Sequence, residues 1–300
     1  MAIETEADVD APAAAGVGQR STSSLVRTSL LRAAGNIGWI LLSLVVILLL
    51  WVGFLHLYHV PKVIGRSPLD VYHYLFTQKT STVHKLRSAS GNRSVLWHNL
   101  RTTLRDAAIG YVAGFIAAMA AACIFVLWRP LEQTFMPIAL VLRSVPLFAM
   151  IPLITLIFGR DIMSVAVIAG IVCFFPALVN IMFGLRSTSP SSHDLMSVYG
   201  ASRFTTLRKV QIPSAVPSIF AALRINVPAA IIGALLAEWL ATGKGSGAEM
   251  LEVINTFDYG ELWSAVVLVT LVSIIAYSVV STVEAAVVPR FAPDTVGKKT

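Results

Sequence analysis

The chain reads as an all-α, polytopic membrane protein, and three features say so. Of its 300 residues 56% are hydrophobic and only 13% charged. Its mean hydropathy is +0.75. Its apolar residues also fall into runs long enough to cross a bilayer. A soluble domain of this size has too little interior to hide so much apolar surface. A crossing helix needs about 20 apolar residues for a hydrocarbon core of roughly 30 Å.

Six such runs are expected, at about 38–58, 107–128, 132–158, 164–185, 215–240 and 262–283. The first has Trp39 and Tyr58 as interfacial anchors. The second, "AAIGYVAGFIAAMAAACIFVLW", is rich in Gly and Ala, the composition of helices that approach closely in lipid. The third is interrupted by Pro137, Pro146 and Pro152. Residues 1–35 read as a disordered tail, acidic early and basic later, and 286–300 as a second tail. No cleaved signal peptide is read, because the run after Arg32 is too long and no small-residue cleavage site follows it.

Six spans place both termini on one side, with the 128–131 turn and the 186–213 loop. That side carries eleven Lys and Arg against nine on the other, which points to cytoplasmic termini. The net charge of +7 and pI of about 9.6 suit loops that meet anionic headgroups. The basic residues are dispersed, so no nucleic-acid partner is read.

Catalytic and metal motifs are not found in the sequence. Cys123 and Cys173 lie inside apolar runs and read as small buried hydrophobes. The six histidines lack ligand spacing, so no metal site is expected. "TGKGSG" (242–247) lacks the spacing of a phosphate loop and reads as a tight turn beyond the fifth run. Charges within the runs are costly in lipid and are candidates for a pathway. Arg143, with Ser144 and Pro146 beside it, either faces a water-filled cavity deep in the third run or snorkels at the interface. Arg224 reads as interfacial, and Glu238 as lining or capping the outer end of the fifth run.

The loop "SSHDLMSVYGASRFTTLRKVQIPSAVP" interrupts this apolar pattern. Asp194 to Tyr199 is expected to form a short helix with Ser192 as N-cap and Asp194 in its first turn. Gly200 ends it, and a second helical stretch runs on until Pro213 stops it. Positive-inside anchoring alone accounts for Arg203, Arg208 and Lys209, but not for two short helices around a glycine.

This loop resembles the cytoplasmic signature of binding-protein-dependent ABC importer permeases: Glu-Ala-Ala, three residues, Gly, nine residues, Ile-x-Leu-Pro. Asp194, Leu195 and Met196 occupy the triplet, Gly200 the glycine, and Val210, Gln211, Ile212 and Pro213 the close. "SPLDVYHYL" (67–75), "LWHNLRTTLRDAAIGYVAGF" (96–115), "LRSVPLFAMIPLITLIFG" (142–159), "FFPALVNIMFGLRS" (174–187) and "ALLAEWLATGKGSG" (234–247) resemble the nitrate/sulfonate/taurine-type branch, in its order. The triplet departs from the pattern, with two bulky residues replacing small ones, and Ser246 replaces the usual apolar residue.

The resemblance implies the type I ABC importer permease fold with six transmembrane helices, in the plasma (inner) membrane. It also implies a non-catalytic subunit that binds no cofactor, ATP being hydrolysed by a partner. The implied partners are a second permease subunit, expected as a homodimer, two cytoplasmic ATPases and an extracytoplasmic solute-binding protein. Coupling is expected through the 191–213 loop, at Asp194, Leu195, Met196, Gly200, Ala201, Ser202, Val210, Ile212 and Pro213, and transport of a small anionic solute. Alternatives are a pyrimidine precursor or aromatic acid as solute, or an ion-coupled secondary transporter, for which Glu238 is the acid available. An intramembrane enzyme lacks the paired groups it needs.

Overall fold

A computed structural model describes residues 42–77, 80–82 and 85–291. The tail expected at 1–35 lies outside these residues, as do the first positions of the 38–58 run and residues 292–300 of the tail expected at 286–300, whereas residues 286–290 are helical instead. Helix α1, Leu42–Leu57, is apolar and forms a unit separate from 61 onward.

Helix α2, Pro68–Phe76, begins at a capping box. The Ser67 hydroxyl accepts from the Asp70 N–H at 3.3 Å, and Asp70 Oδ2 accepts from the Ser67 N–H at 2.8 Å. Strands β1, Thr80–Thr82, and β2, Lys85–Arg87, pair antiparallel, the one departure from an all-helical chain among the described residues. Helix α3 follows, Ala89–Leu127. At 39 residues and 1.5 Å each it is about 58 Å long, so it projects beyond the membrane.

Helices α4, Arg129–Ser144, and α5, Leu147–Phe158, correct the single run expected at 132–158. They meet at 103° across Val145 and Pro146. A residue before proline is pushed out of the helical region, and Val145 is extended (φ −72°, ψ 127°). Pro137 and Pro152 stay inside their helices.

Helix α6, Ile162–Arg186, leads to α7, Pro190–Val198, and α8, Arg203–Thr206. A π-helical turn, Leu207–Gln211, then runs without interruption into α9, Ile212–Ala237, and a second π turn, Glu238–Thr242. Helices α10, Ser246–Asn255, and α11, Tyr259–Val287, complete the chain with a final 3₁₀ turn. Among the described residues four helical stretches are long and apolar enough to span a bilayer. The count is five if the bent pair α4–α5 is taken as one broken span.

The packed centre is α3, α6 and α9. Van der Waals contact between backbones replaces a hydrophobic driving force in lipid, which favours small residues. At Gly114 an added Cβ would overlap the Gly170 carbonyl and lie 2.9 Å from Cys173 Cβ. At Gly233 it would lie 2.7 Å from Ala169 Cα. The Gly110-x-x-x-Gly114 ridge of α3 therefore seats directly on α6. Asn226, fully buried on α9, ties the same region together by donating to the Cys173 carbonyl at 3.0 Å.

Candidate functional site

The segment from Arg186 to Pro213 is built from caps. Ser189, not Ser192, caps α7: its hydroxyl accepts from the Ser192 N–H at 3.3 Å, and Pro190 follows at N1. Ser-Pro is the stronger start, because proline has no N–H to leave unpaired at the first helical position. Asp194 consequently stands beyond the first turn and is exposed. At the other end the Gly200 N–H donates to the Ser197 carbonyl and the Ala201 N–H to the Met196 carbonyl, both at 2.9 Å. That pair of bonds is a Schellman cap, and it requires the left-handed conformation that Gly200 adopts (φ +64°). Ser202 then caps α8 by accepting from the Thr205 N–H at 3.2 Å.

Pro213 does not stop a helix as the sequence suggested. It sits in the first turn of α9, immediately after the π turn. In that wider turn the Ile212 N–H bonds back to the Leu207 carbonyl, five residues earlier. The helix runs on from 203 to 242.

The segment is fixed to the bundle from three sides. Leu207 is buried in a cluster with Ala118, Leu178, Leu185 and Ala215, and Ile212 packs against that cluster. Arg203 donates to the Leu127 carbonyl at the end of α3. Arg186 pairs with Glu132 of α4. The outward residues include an apolar row: Leu195 and Val198 on α7 and its C-cap Tyr199, at i, i+3 and i+4, and Phe204 on α8, are all exposed. Val198 is 84% and Tyr199 79% exposed. Leu195 belongs to the expected set, whereas Val198, Tyr199 and Phe204 do not; their helical spacing was the signal available. Met196, Ala201, Val210, Ile212 and Pro213 are half-buried.

The residues read as a pathway are not gathered together. Arg143, Ser144 and Pro146 are exposed at the α4–α5 bend, where the Ser144 hydroxyl turns back to the Val141 carbonyl at 2.6 Å. Glu238, read as lining or capping the outer end of the fifth run, is fully enclosed by its own chain. Its Oε2 accepts from the Thr103 hydroxyl at 2.9 Å and the Gly247 N–H at 2.8 Å, and Thr103 accepts from the Ser246 N–H at 2.9 Å. Gly243 and Gly245 both take positive φ, and a Cβ on Gly245 would overlap the Glu238 carboxylate. Glu238 and Thr103 thus pin the glycine turn onto α3. Arg224, expected at an interface, pairs with Glu284 of α11 at 3.0 Å.

Comparison with known proteins identifies this arrangement. A family model described as binding-protein-dependent transport system inner membrane component matches residues 110–293, well over half of the chain. The chain belongs to that family. The permease is 28% identical to a probable ABC transporter permease protein of Haemophilus influenzae, over 79% of this chain and 91% of the relative. It is 26% identical to a formylaminopyrimidine transport permease of Halalkalibacterium halodurans, over 68% and 82%. It is 28% identical to a nitrate import permease of Leptolyngbya laminosa, over 67% and 72%. This permease is a multi-pass, non-catalytic subunit of an ABC importer with the type I permease fold. Membership implies ATPase and solute-binding-protein partners.

Proposed function

We propose that two copies of this permease form one pathway, that both termini are cytoplasmic, and that two ATPase subunits dock on the segment from Ser189 to Pro213. The observation that carries this reading is the outward row Leu195, Val198 and Tyr199. It lies on a helix capped at both ends and tied to the bundle core through Leu207. An exposed apolar row with rigid backing is the form of a protein contact. A rigid element also transmits displacement to the spans that a loose loop would absorb. ATP hydrolysed by the docked subunits would then move α9 directly, because the 203–242 helix is continuous. Asp194 and Gly200 keep the roles the motif suggests, a charged contact and a cap.

The test is a reconstituted complex of permease, ATPase and binding protein. Leu195→Asp and Val198→Asp should abolish stimulation of the ATPase by loaded binding protein while leaving the permease folded. Unchanged stimulation in both would refute the docking assignment.

The solute is a small anion in this reading. The relatives named for nitrate and for aliphatic sulfonates support it, while the formylaminopyrimidine and riboflavin permeases favour a nitrogen heterocycle. Arg143, exposed at the bend of α4 and α5, is the anion contact we assign within the membrane. Normal uptake of nitrate and taurine by Arg143→Gln, at normal protein levels, would refute that role.

A further inference from the structure

A cavity of about 650 Å³ lies between the start of α3, the glycine turn and α10. Along α3, Thr102 on its wall is about 38 Å from Leu127, at 1.5 Å per residue. That is more than the hydrocarbon thickness of about 30 Å, so the cavity and the capped segment at 189–213 belong to opposite membrane faces.

The cavity is charged on two sides. Arg105 and Lys244 stand on the α3 and turn walls, with no ion-pair partner for either among the described residues. Glu249 and Glu252 stand on the α10 wall. Asn99 and Trp239 complete the lining relevant here.

Trp239 connects the cavity to a second feature. From Ile212 to Thr242 the helix is buried or half-buried except at Ser214, Ile225, Ile232 and Trp239. Their exposures are 46% for Ile225, 55% for Ile232 and 43% for Trp239. At about 100° per residue, spacings of eleven, seven and seven place all four within about 40° of one another. The central helix therefore leaves one narrow line uncovered. That line runs from the capped segment to the cavity and ends on a residue that lines both.

We propose that this cavity is the outer solute vestibule and that the Ser214–Ile225–Ile232–Trp239 line is this chain's wall of the translocation pathway. Its solute carries a negative group, met by Arg105 and Lys244, and a positive or N–H-bearing group, met by the Glu249 carboxylate of α10. A bare anion would use one wall only. The proposal rests on the orientation and the paired-permease reading above, and it narrows the solute class.

The experiment uses the whole transporter with its ATPases and binding protein in proteoliposomes, with Cys123→Ala and Cys173→Ala as background. Single Thr102→Cys, Ile232→Cys and Ile274→Cys variants are exposed to the membrane-impermeant anionic reagent sulfonatoethyl methanethiosulfonate. Thr102→Cys should react from the side where the binding protein acts. Ile232→Cys should react at least about tenfold faster than Ile274→Cys on α11. Equal or slower reaction at Ile232→Cys would mean that the line faces lipid, and would overturn the pathway assignment.

Double substitution Arg105→Gln, Lys244→Gln should lower taurine import about tenfold at saturating binding protein, and Arg105→Lys, Lys244→Arg should restore most of it. The concentration of binding protein that half-saturates the ATPase should stay unchanged. A rise in that concentration with full transport at saturation would make the cavity a docking surface and overturn the vestibule. Glu249→Gln should reduce taurine import and spare nitrate import; equal effects on both would overturn the proposed solute class. Failure of the unmodified complex to import either compound would refute the anion reading of the preceding section, while the labelling comparison would still decide the pathway.

Discussion

Gly200 is the position at which the coupling reading is most exposed to test, because its surroundings separate two reasons for a glycine. Its φ is +64°, and a Cβ built on it would meet nothing within 4 Å. Space does not require a glycine there; backbone conformation does. For an L-residue with a side chain the left-handed region costs about 1–2 kcal/mol, and Asn enters it more readily than other non-glycine residues. Gly200→Ala should therefore shift the Schellman cap toward its frayed form by about five- to thirtyfold. The Met196 and Ser197 carbonyls then lose their N–H partners, and α8 loses its fixed start relative to α7. Gly200→Asn should cost less and Gly200→Val more, since a β-branched residue is a pronounced outlier at positive φ. The assay is ATPase stimulation by loaded binding protein in the reconstituted complex, with retention of the ATPase subunits measured alongside. The expected order of coupling is Gly, Asn, Ala, Val. If Asn were as damaging as Val, side-chain volume against a close partner would be the requirement, and the conformational argument would be refuted. If Val coupled normally, the cap itself would be irrelevant to coupling.

Three further outcomes follow from particular contacts. Gly114→Leu should push α3 from α6, because even one added carbon overlaps the Gly170 carbonyl; a loss of about 1–3 kcal/mol is expected. Thermal unfolding in detergent measures it, and an unchanged midpoint would refute the packing. Glu238→Ala should release the glycine turn, freeing the Gly247 N–H and the Thr103 hydroxyl at a cost of about 2–3 kcal/mol. Glu238→Gln should retain much of this, since an amide oxygen still accepts; limited proteolysis at 243–247 distinguishes the two. At the α2 cap, the backbone N–H of Ser67 holds the Asp70 carboxyl below its ordinary value of 3.8, opposed by partial desolvation and helped by the Ser67 hydroxyl, Arg66 and His73. A folded-state value lowered in this way stabilises the cap above the ordinary value, and the contribution is lost as pH falls through the lowered one. Amide-exchange protection over 67–77, corrected for intrinsic rates, should fall on acidification, and Asp70→Asn should show no such fall.

The parts of the molecule that were legible in the sequence are those where one residue type carries the physics. Apolar runs located the long helices, and the Gly/Ala content of 107–128 announced the close approach that Gly110 and Gly114 make to α6. Gly200 announced a cap for the same reason, since few residues tolerate its φ. The misreadings fall where a residue's effect depends on what surrounds it. Pro213 looked like a stop, but a π turn before it supplies the room its ring needs, and nothing in "TTLRKVQIP" distinguishes a π turn from an α-helical one. Pro146 was visible and takes Val145 out of the helical region, but that rule gives no angle, and the 103° between α4 and α5 could not be read from it. Glu238 drew attention as a charge in an apolar run, and the structure spends it on Thr103 and Gly247. Its neighbour Trp239, an unremarked aromatic, holds the open position instead. The same holds for the whole line it terminates. Ser214, Ile225, Ile232 and Trp239 share no chemistry, and isolated apolar residues on a membrane helix are unexceptional. They become a surface only because α3, α6 and α11 cover the other faces of α9, a fact of packing that no window of the sequence contains.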